Sequence, residues 1–359
     1  MPSQITDVPI ISDPVNVVLQ RRFLDRARAV AVYAQGTMAA ELPTHQGSDT
    51  IKWRRYENIS PSVTALAELT GNLSFTARSS VVPSITDVTG TVARYGQFFA
   101  TNEEVDLINP TEQEAELIDV LAIAAGRSLN RLIRNEMEDN LTAIRAGSAA
   151  SDGAIVKKLL GDTVAKGVNV LQNNEAMMFY PETGGNTNVG TSPLRWSFLG
   201  FTHVNVEYDI RKHAGFVPAE SYMNQAQTYM NEIGMSNGVR FISTAEASID
   251  TNSGGSVGTT GLRSTGASVI DLCRSIVLGQ KCVGTVSFDL PAHPKEQYRA
   301  GDRIPSLQLI FKPRGTSGIA DPFNELATMA YKFWNRTRVV NTNWGRQLSS
   351  GATDIDPTS

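Results

Sequence analysis

The sequence predicts an α+β fold. Runs of β-branched and aromatic residues occur in the first third of the chain and again near its end, in "LQLIFK" and "ELATMAYKFWNRTRVV". Between them lies one long helical pattern that begins at Asn109. No internal repeat and no regular β-α-β alternation is visible, which favours helices segregated from a mostly antiparallel set of strands. Because 41% of the 359 residues are hydrophobic, the chain can bury a sizeable core.

The first 107 residues are predicted to form an arm and a flap. Residues 1–47 contain a short helical candidate, "PVNVVLQRRFLDRARAVAVYAQG", but little that could form a core alone. Residues 48–107 hold two β-prone runs, "DTIKWRRY" and "TDVTGTVARYGQFFATNEEV", joined by a long connection. Compact enzymes seldom keep so long a loop, so we expect an extended β-flap that packs on another surface.

One run in the flap has two interpretations. Lys52-Trp53-Arg54-Arg55-Tyr56 interleaves aromatic residues with cations, as some nucleic-acid-binding proteins do. Its strand alternation favours instead an amphipathic face that meets a neighbouring surface. We therefore predict contacts between subunits from the flap through four residues: Trp53, Arg54, Arg55 and Tyr56.

The clearest predicted element is a spine helix over 110–146. Asn109-Pro110-Thr111-Glu112 supplies an N-cap, a proline at the first helical position and a glutamate at N3. The pattern continues to Gly147, which corresponds to a helix of about 55 Å at 1.5 Å per residue. Apolar residues follow at helical spacing: Ile118, Leu121, Ala125, Leu129, Leu132, Ile133, Met137, Leu141 and Ile144.

Helices and strands mix after residue 148. "DGAIVKKLLGDTVAKGVNVLQNNEA" is helical in character, and "FTHVNVEYDIRK" begins as a strand. "AESYMNQAQTYMNEIG" is predicted as a polar amphipathic helix that leads into the strand "VRFIST". "IDTNSGGSVGTTGLRSTGAS" is predicted as a flexible loop. The tail after Trp344 is polar, and we expect it to be frayed.

Composition argues against several functional classes. The net charge of −4 has no basic signature, which argues against a dedicated nucleic-acid-binding protein but not against one that lines a nucleic-acid container. "MPSQITDVPI" is not a signal sequence, and no apolar run approaches the roughly 20 residues of a membrane helix. The only cysteines, Cys273 and Cys282, are too few for a disulfide-stapled fold or a zinc site, and indicate buried thiols in a protein that folds in a cytoplasm.

A possible catalytic motif lies in "NEIGMSNGVRFIST". Gly234-Met235-Ser236-Asn237-Gly238 fits the G-x-S-x-G pattern of a serine hydrolase, and Asp271, Asp289 and His293 follow in the appropriate order. A nucleophile elbow, however, needs a strand before the turn and a helix after it, and we predict the reverse order here. Gly234 and Gly238 are therefore interpreted as structural turn residues, a helix C-terminal glycine and half of an Asn-Gly turn.

The remaining chemistry is sparse. None of the other histidines (His45, His203 and His213) is spaced from a histidine, cysteine or carboxylate in a metal-binding pattern, so each is predicted to be structural or solvated. The glycine-rich segment 252–266 lacks the lysine of a phosphate-binding loop. We predict no catalytic residue, no metal site and no cofactor.

Four stretches resemble the major capsid protein of tailed bacteriophages. They are "FLGFTHVNVEYDIRKHAGFVPAESY", "NEIGMSNGVRFISTAEA", "SIVLGQKCVGTVSF" and "ELATMAYKFWNRTRVVNTNW". The arm, flap and spine helix occur in the order that this family has, and the resemblance covers roughly residues 48–345. It is strongest to the podophage-type branch of coat proteins.

The resemblance implies a fold, a division of the chain and a structural function. The divisions are an N-terminal arm (1–47), a β-flap or E-loop (48–107), a peripheral domain (108–214), an axial domain (215–300), return strands (301–345) and a tail (346–359). By analogy, the arm and the flap lie on neighbouring subunits. Hexamers and pentamers of the chain would assemble in the host cytoplasm into an icosahedral virion shell around double-stranded DNA, with scaffold, decoration and portal proteins as further partners and no membrane.

Two alternatives remain at this stage. An encapsulin-like compartment protein shares the fold and would enclose a protein cargo instead of DNA. A serine hydrolase would use Ser236 with His293 and either Asp271 or Asp289.

Overall fold

The computed structural model describes residues 12–43, 47–61, 63, 82–108, 113–179, 196–222, 228–291, 303–304, 307–312, 314, 323 and 325–355. The helices are α1 (Ser12–Val30), α2 (Glu103–Ile108), α3 (Gln113–Asn140), α4 (Gly161–Asn173) and α5 (Val204–Arg211). The strands are β1 (Thr37–Pro43), β2 (Thr50–Tyr56), β3 (Ile85–Thr91), β4 (Ala93–Asn102), β5 (Ala143–Arg145), β6 (Phe198–His203), β7 (Val217–Pro218), β8 (Glu232–Ser236), β9 (Val239–Thr244), β10 (Ile249–Asp250), β11 (Leu272–Leu278), β12 (Val283–Pro291), β13 (Arg303–Ile304), β14 (Leu307–Lys312), β15 (Leu326–Val339) and β16 (Gly345–Ser350). The predicted mixture of long helix and mostly antiparallel strands is confirmed.

An eight-stranded sheet forms the centre of the larger half of the molecule. Its order is β5-β16-β11-β6-β9-β8-β7, with β10 also on β11. Residues of β6 alternate between two apolar clusters: Leu199 and Phe201 face α3, whereas Phe198 packs with α4 and α5. Because helices cover both faces, the central strands are buried almost throughout and not at alternate residues.

The second, six-stranded sheet is organised around β15. Its order is β1-β12-β15-β14, and β4 pairs with β15 while β13 pairs with β12. Every second residue of β15 is buried over 14 residues. Met329, Tyr331 and Phe333 pack in one cluster with α1 and α3. This alternation is the period-2 pattern of a strand with one face on a core.

The first and third helices pack closely against each other. Phe23 of α1 is buried in the same cluster as Ile118 of α3, and Ala27 of α1 is buried as well. A Cβ on Gly126 would lie 2.5 Å from the carbonyl oxygen of Ala27, so the close approach of the helices requires glycine there. The described part of the predicted arm thus packs on its own chain, and β1 continues it by pairing in parallel with β12.

The spine helix is shorter than predicted. It ends at Asn140 after 28 described residues, about 42 Å at 1.5 Å per residue, and residues 143–145 form β5 instead. Leu141 and Ile144 continue the helical spacing, but Ile144 packs on the second side of the large sheet because β5 pairs with β16. The predicted capping residues 109–112 lie outside the described residues.

Two other predicted elements are wrong. The expected helix "AESYMNQAQTYMNEIG" ends at Gly234, but its last three residues belong to the strand Glu232–Ser236, which pairs with β9 and β7. The expected frayed tail begins with β16, whose six residues are all buried between β11 and β5. The polar side chains of β16 hide its burial in the sequence. Inside the sheet, Arg346 donates to the carbonyl oxygens of Thr342 and Gly345 at 2.8 Å. Paired polar groups can be buried at little cost.

The predicted divisions of the chain do not follow the sheets. The boundary between 214 and 215 falls inside the eight-stranded sheet, since β6 pairs with β9 on one side and β11 on the other. The second β-run of the flap region, β4, belongs to the six-stranded sheet, where its ten residues pair with β15. Only β2 and β3 form the separate two-stranded sheet of the flap. Among the described helices, none is long and apolar enough to cross a membrane.

The position of β16 leads to a stability prediction. Leu348 is fully buried beside α4, whereas Ile355 in the same C-terminal segment is 57% exposed. We expect Leu348→Ala to lower the free energy of unfolding by about 2–5 kcal/mol, because it leaves a cavity in the core. Ile355→Ala is the control and should change it by less than about 0.5 kcal/mol. Equal effects in urea denaturation would contradict the burial of β16.

Candidate assembly surfaces and the buried serine

Ser236 lies at the end of β8, immediately before a tight turn. Asn237 and Gly238 have φ values of 50° and 80°, the two positive values that a two-residue hairpin turn of type I′ requires. A strand enters this turn and a strand leaves it, so the G-x-S-x-G sequence forms a β-hairpin and not a nucleophile elbow. The expectation of a turn is confirmed, whereas the helix predicted before it is not.

The serine has a histidine partner that the sequence did not indicate. The Oγ of Ser236 lies 3.1 Å from Nδ1 of His213, and Nε2 of the same ring lies 3.0 Å from the carbonyl oxygen of Leu159. Since a carbonyl only accepts, Nε2 carries the proton and Nδ1 accepts from the serine hydroxyl. The histidine thus bridges the hairpin to the segment that enters α4.

Burial makes this pair structural. Ser236 is 1% exposed and His213 is 9% exposed, so a substrate carbonyl has no path to the hydroxyl without displacing the fold. The group that orients the ring is a backbone oxygen and not a carboxylate. His213 follows α5, and its contact with Ser236 joins residues 23 apart and has no sequence signal.

The other residues of the hydrolase hypothesis have separate roles. One carboxylate oxygen of Asp271 accepts from the backbone N–H of Asn252, and the other accepts from the N–H and hydroxyl of Thr265, so this side chain fixes the glycine-rich loop. Asp289 lies in β12 of the six-stranded sheet, opposite Pro43. His293 lies outside the described residues.

Neither the cysteines nor the metal-binding residue types form a site in the described ranges. No group of three histidine, cysteine or carboxylate side chains there could hold a metal ion. Cys273 and Cys282 are buried and unpaired, as predicted. Burial is the main cause that raises the pKa of each thiol to about 12, so neither is a thiolate near neutral pH.

Gly234 is needed for a reason other than the one predicted. It lies inside β8 with φ of 151°, at an irregularity of the pairing with β9. A Cβ there would lie 2.4 Å from the carbonyl oxygen of Val217 and 2.5 Å from the ring of Phe216. The close approach of β7 therefore excludes a side chain, whereas at Gly238 only the positive φ favours glycine.

A buried ion pair lies beside the hairpin. Arg240 Nε donates to Glu232 Oε1 at 2.7 Å, and both side chains are at most 4% exposed. Tyr222 donates its hydroxyl to the same oxygen at 2.9 Å. Burial is the main cause that raises the pKa of the Tyr222 hydroxyl, and the negative charge of Glu232 is the second. Because each charge is hydrogen-bonded, the network holds β8, β9 and residue 222 in one arrangement.

The four predicted flap residues face in two directions. Trp53 is only 7% exposed and packs in a cluster with Val92, Val286 and Val340 of its own chain. Arg55 follows it on the same face and donates to the carbonyl oxygen of Val340 at 2.8 Å. These two residues fix the flap to the subunit. The burial of Trp53 in its own chain corrects its predicted use between subunits, whereas that of Arg55 stays a prediction.

The other two flap residues lie on the outer face of β2. Arg54 contacts Asp87 at 3.0 and 3.2 Å, and Lys52 pairs with the same carboxylate. Hydrogen bonds from these cations lower the pKa of Asp87 to about 2. Tyr56 is 62% exposed and lies directly opposite Ile85, which is 49% exposed. A contact of this face with a neighbouring subunit stays a prediction.

Ten of the twenty exposed large apolar side chains in the described ranges form two groups along the chain. The first group is on the flap, and the second comes from β4, α2 and the residues around the start of β15. Scattered apolar residues are normal on a surface, but groups of this kind mark interaction sites. The groups are Tyr56, Ile59, Val63, Val82 and Ile85, and Phe98, Leu107, Ile108, Phe323 and Leu326.

The two hairpin glycines can be separated by experiment. We expect Gly234→Ala to lower the free energy of unfolding by about 2–4 kcal/mol, because the new methyl group overlaps a backbone oxygen. Gly238→Ala is the matched control and should cost about 1 kcal/mol, since only the positive φ opposes alanine. Chemical denaturation measures both, and a Gly238→Ala cost equal to or above that of Gly234→Ala would refute the steric argument.

The burial of Ser236 predicts its reactivity. A serine-directed fluorophosphonate should leave the folded chain unlabelled, because the hydroxyl is enclosed and its histidine partner is fixed by a backbone oxygen. Mass spectrometry of the intact chain measures the labelling, with Ser236→Ala as the control. Labelling of the parent that disappears in Ser236→Ala would restore the hydrolase hypothesis.

Neither a family model nor a curated protein sequence matches the chain. Solved structures do match it along most of its length. The capsid of Ralstonia phage GP4 is similar with a TM-score of 0.57 and 8% identity over 91% of this chain and 93% of that one. The head structure of Helicobacter pylori bacteriophage KHP40 gives 0.54 and 10% identity over 88% and 87%.

A shell from outside the phages also matches. The SrpI encapsulin complex from Synechococcus elongatus has a TM-score of 0.50 and 10% identity over 90% of this chain and 88% of that one. Identities this low establish the architecture alone. The podophage-type branch stays a prediction. The chain has the mixed α+β fold of tailed-phage major capsid proteins, which the sequence resemblance predicted.

Proposed function

We propose that the chain is a structural major capsid protein, whose copies form hexamers and pentamers of an icosahedral shell around double-stranded DNA. The observation that carries the proposal is the flap. Its inner face is fixed to the subunit through Trp53 and Arg55, while Tyr56 and Ile85 expose a shared apolar face on the outer side. A monomer gains nothing from such a face, but a neighbouring copy would bury it.

Two further observations support the proposal. The solved phage structures with this fold are described as a capsid and a head. The second exposed apolar group, which includes Phe98 and Phe323, gives the subunit another surface that association would cover. The predicted scaffold, decoration and portal partners, the virion location and the assembly in a host cytoplasm belong to this proposal.

The encapsulin alternative rests on the similarity to the SrpI complex. An encapsulin-like shell would use the flap in the same way as a capsid, and the two would differ in what the shell encloses. Purified particles that contain nuclease-protected DNA would support the capsid, whereas an enclosed protein and no DNA would support the encapsulin-like compartment.

The first test is assembly. Negative-stain microscopy of the purified full-length chain, expressed alone and with a scaffold protein, should show closed shells, sheets or capsomers. If neighbouring copies bury this face, Tyr56→Ser with Ile85→Ser should reduce shell yield by about 30-fold, since loss of an aromatic interface anchor weakens association by about 2 kcal/mol. The melting temperature of this variant should stay within about 2 °C of the parent.

Trp53→Ala is the matched control from the same strand. It removes a buried side chain, so we expect the free energy of unfolding to fall by about 3–5 kcal/mol. A strictly monomeric parent under all conditions would refute the proposal. Normal shells from the Tyr56→Ser/Ile85→Ser variant would show that the exposed face of the flap does not support the proposal.

A further inference from the structure

A groove follows the contact between α1 and α3 and ends at the turn after β9. It consists of two adjoining hollows of about 460 and 600 Å³ that share Arg26 and Ala29. The larger hollow is lined by Arg21 and Arg22, and the smaller one extends to Arg127. We call it the α1–α3 groove.

The α1 side of this groove is basic, although the chain as a whole carries a net negative charge. Residues 21–30 contain four arginines and one aspartate, whereas the whole chain has a net charge of −4. Every exposed residue of that segment is charged, except Ala29. Such a surface differs from the apolar groups on the flap and at the end of β4, because the core of a protein interface is depleted in charged residues.

Within the described ranges, two arginines of the groove form no ion pair with a carboxylate. Arg22 binds Asp119 at 2.7 Å, and both Arg127 and Arg131 bind Glu246, at 3.0 and 2.7 Å. The side chains of Arg21 and Arg26, in contrast, form no ion pair with any residue in the described ranges. The guanidinium groups of Arg21 and Arg26 lie at the groove. Among the carboxylates that line the groove, Asp25 is the one without an ion pair in the described ranges.

The far end of the groove offers an unused hydrogen-bonding group. The hydroxyl of Ser243 is buried and has no hydrogen-bond partner within the described part of the chain, although the residue lines the smaller hollow. Arginine guanidinium groups are among the side-chain groups that contact phosphate oxygens in nucleic-acid complexes, often through two parallel hydrogen bonds.

We propose that the α1–α3 groove is the surface that faces the packaged double-stranded DNA, with Arg21 and Arg26 in contact with its phosphates. The inference rests on the proposed capsid function, and it identifies which side of the subunit forms the inner wall of the shell. Contacts to phosphates alone carry no sequence information, so the surface accepts any DNA sequence. The modest excess of positive charge makes each contact weak and sensitive to salt.

Binding of a fluorescein-labelled 20-base-pair duplex tests the groove. The unassembled full-length chain, isolated by size exclusion, is titrated at several salt concentrations and followed by fluorescence anisotropy. Arg21→Gln with Arg26→Gln should reduce affinity about 10-fold near 50 mM salt and lower the slope of log K against log[salt] by about 2. Lys157→Gln with Lys281→Gln removes the same charge from exposed positions outside the groove and should leave binding unchanged.

Three results would overturn the inference. One is equal loss of affinity in both double variants, and another is no loss in the arginine variant. The third is tighter binding of a poly-glutamate peptide than of the duplex, with loss in the arginine variant, because the groove would then serve an acidic protein segment.

Closed shells add a test of sidedness. If the groove faces inwards, intact parent shells bind added duplex more weakly than unassembled chains do, because the wall hides Arg21 and Arg26. Equal binding would place the groove outside and refute the inference while the capsid function stands. Absence of any particle would refute the capsid function, and the anisotropy result would still decide whether the groove binds DNA.

Discussion

The alternation of β15 is the constraint on which both halves of the molecule depend. Its inward residues fill the cluster beneath α1 and α3, and its two edges hold β4, β14 and β12. A slip of one residue would turn Met329, Tyr331 and Phe333 away from the helices. The chain then continues through residues 340–344 and enters the large sheet as β16. One continuous segment therefore joins the two sheets.

Buried polar contacts hold the large sheet to its surroundings, and they account for residues that look catalytic in the sequence. Ser236 and His213 connect the hairpin to the start of α4. The buried carboxylate of Asp209 accepts from the N–H of Thr353 at 2.8 Å and pairs with Lys158 at 3.2 Å, which fixes the C-terminal segment to α5. Each group is stable inside the protein because it is paired, and removal of one partner would leave the other unsatisfied.

Local patterns predicted part of this structure. The β-branched and aromatic residues of β15 and the apolar spacing in α3 are properties of the segments themselves, so the sequence is enough to find these two elements. The strand character of β8 and β16 depends on partners elsewhere in the chain, and their polar residues hide it. The same holds for the pairing of Ser236 with His213 and for the inward position of Trp53, which depends on a glycine at position 284. A pattern in one segment carries no record of such distant partners.

The place of β16 inside the large sheet also sets the order of events during synthesis. β16 separates β5 from β11 although it follows both in the chain, and β1 pairs with β12, some 240 positions later. Neither sheet can close before its later strands have been synthesised, and long-range pairing of this kind is slow. A growing chain that has not reached β16 therefore lacks the finished surfaces that, in the proposed function, contact other copies.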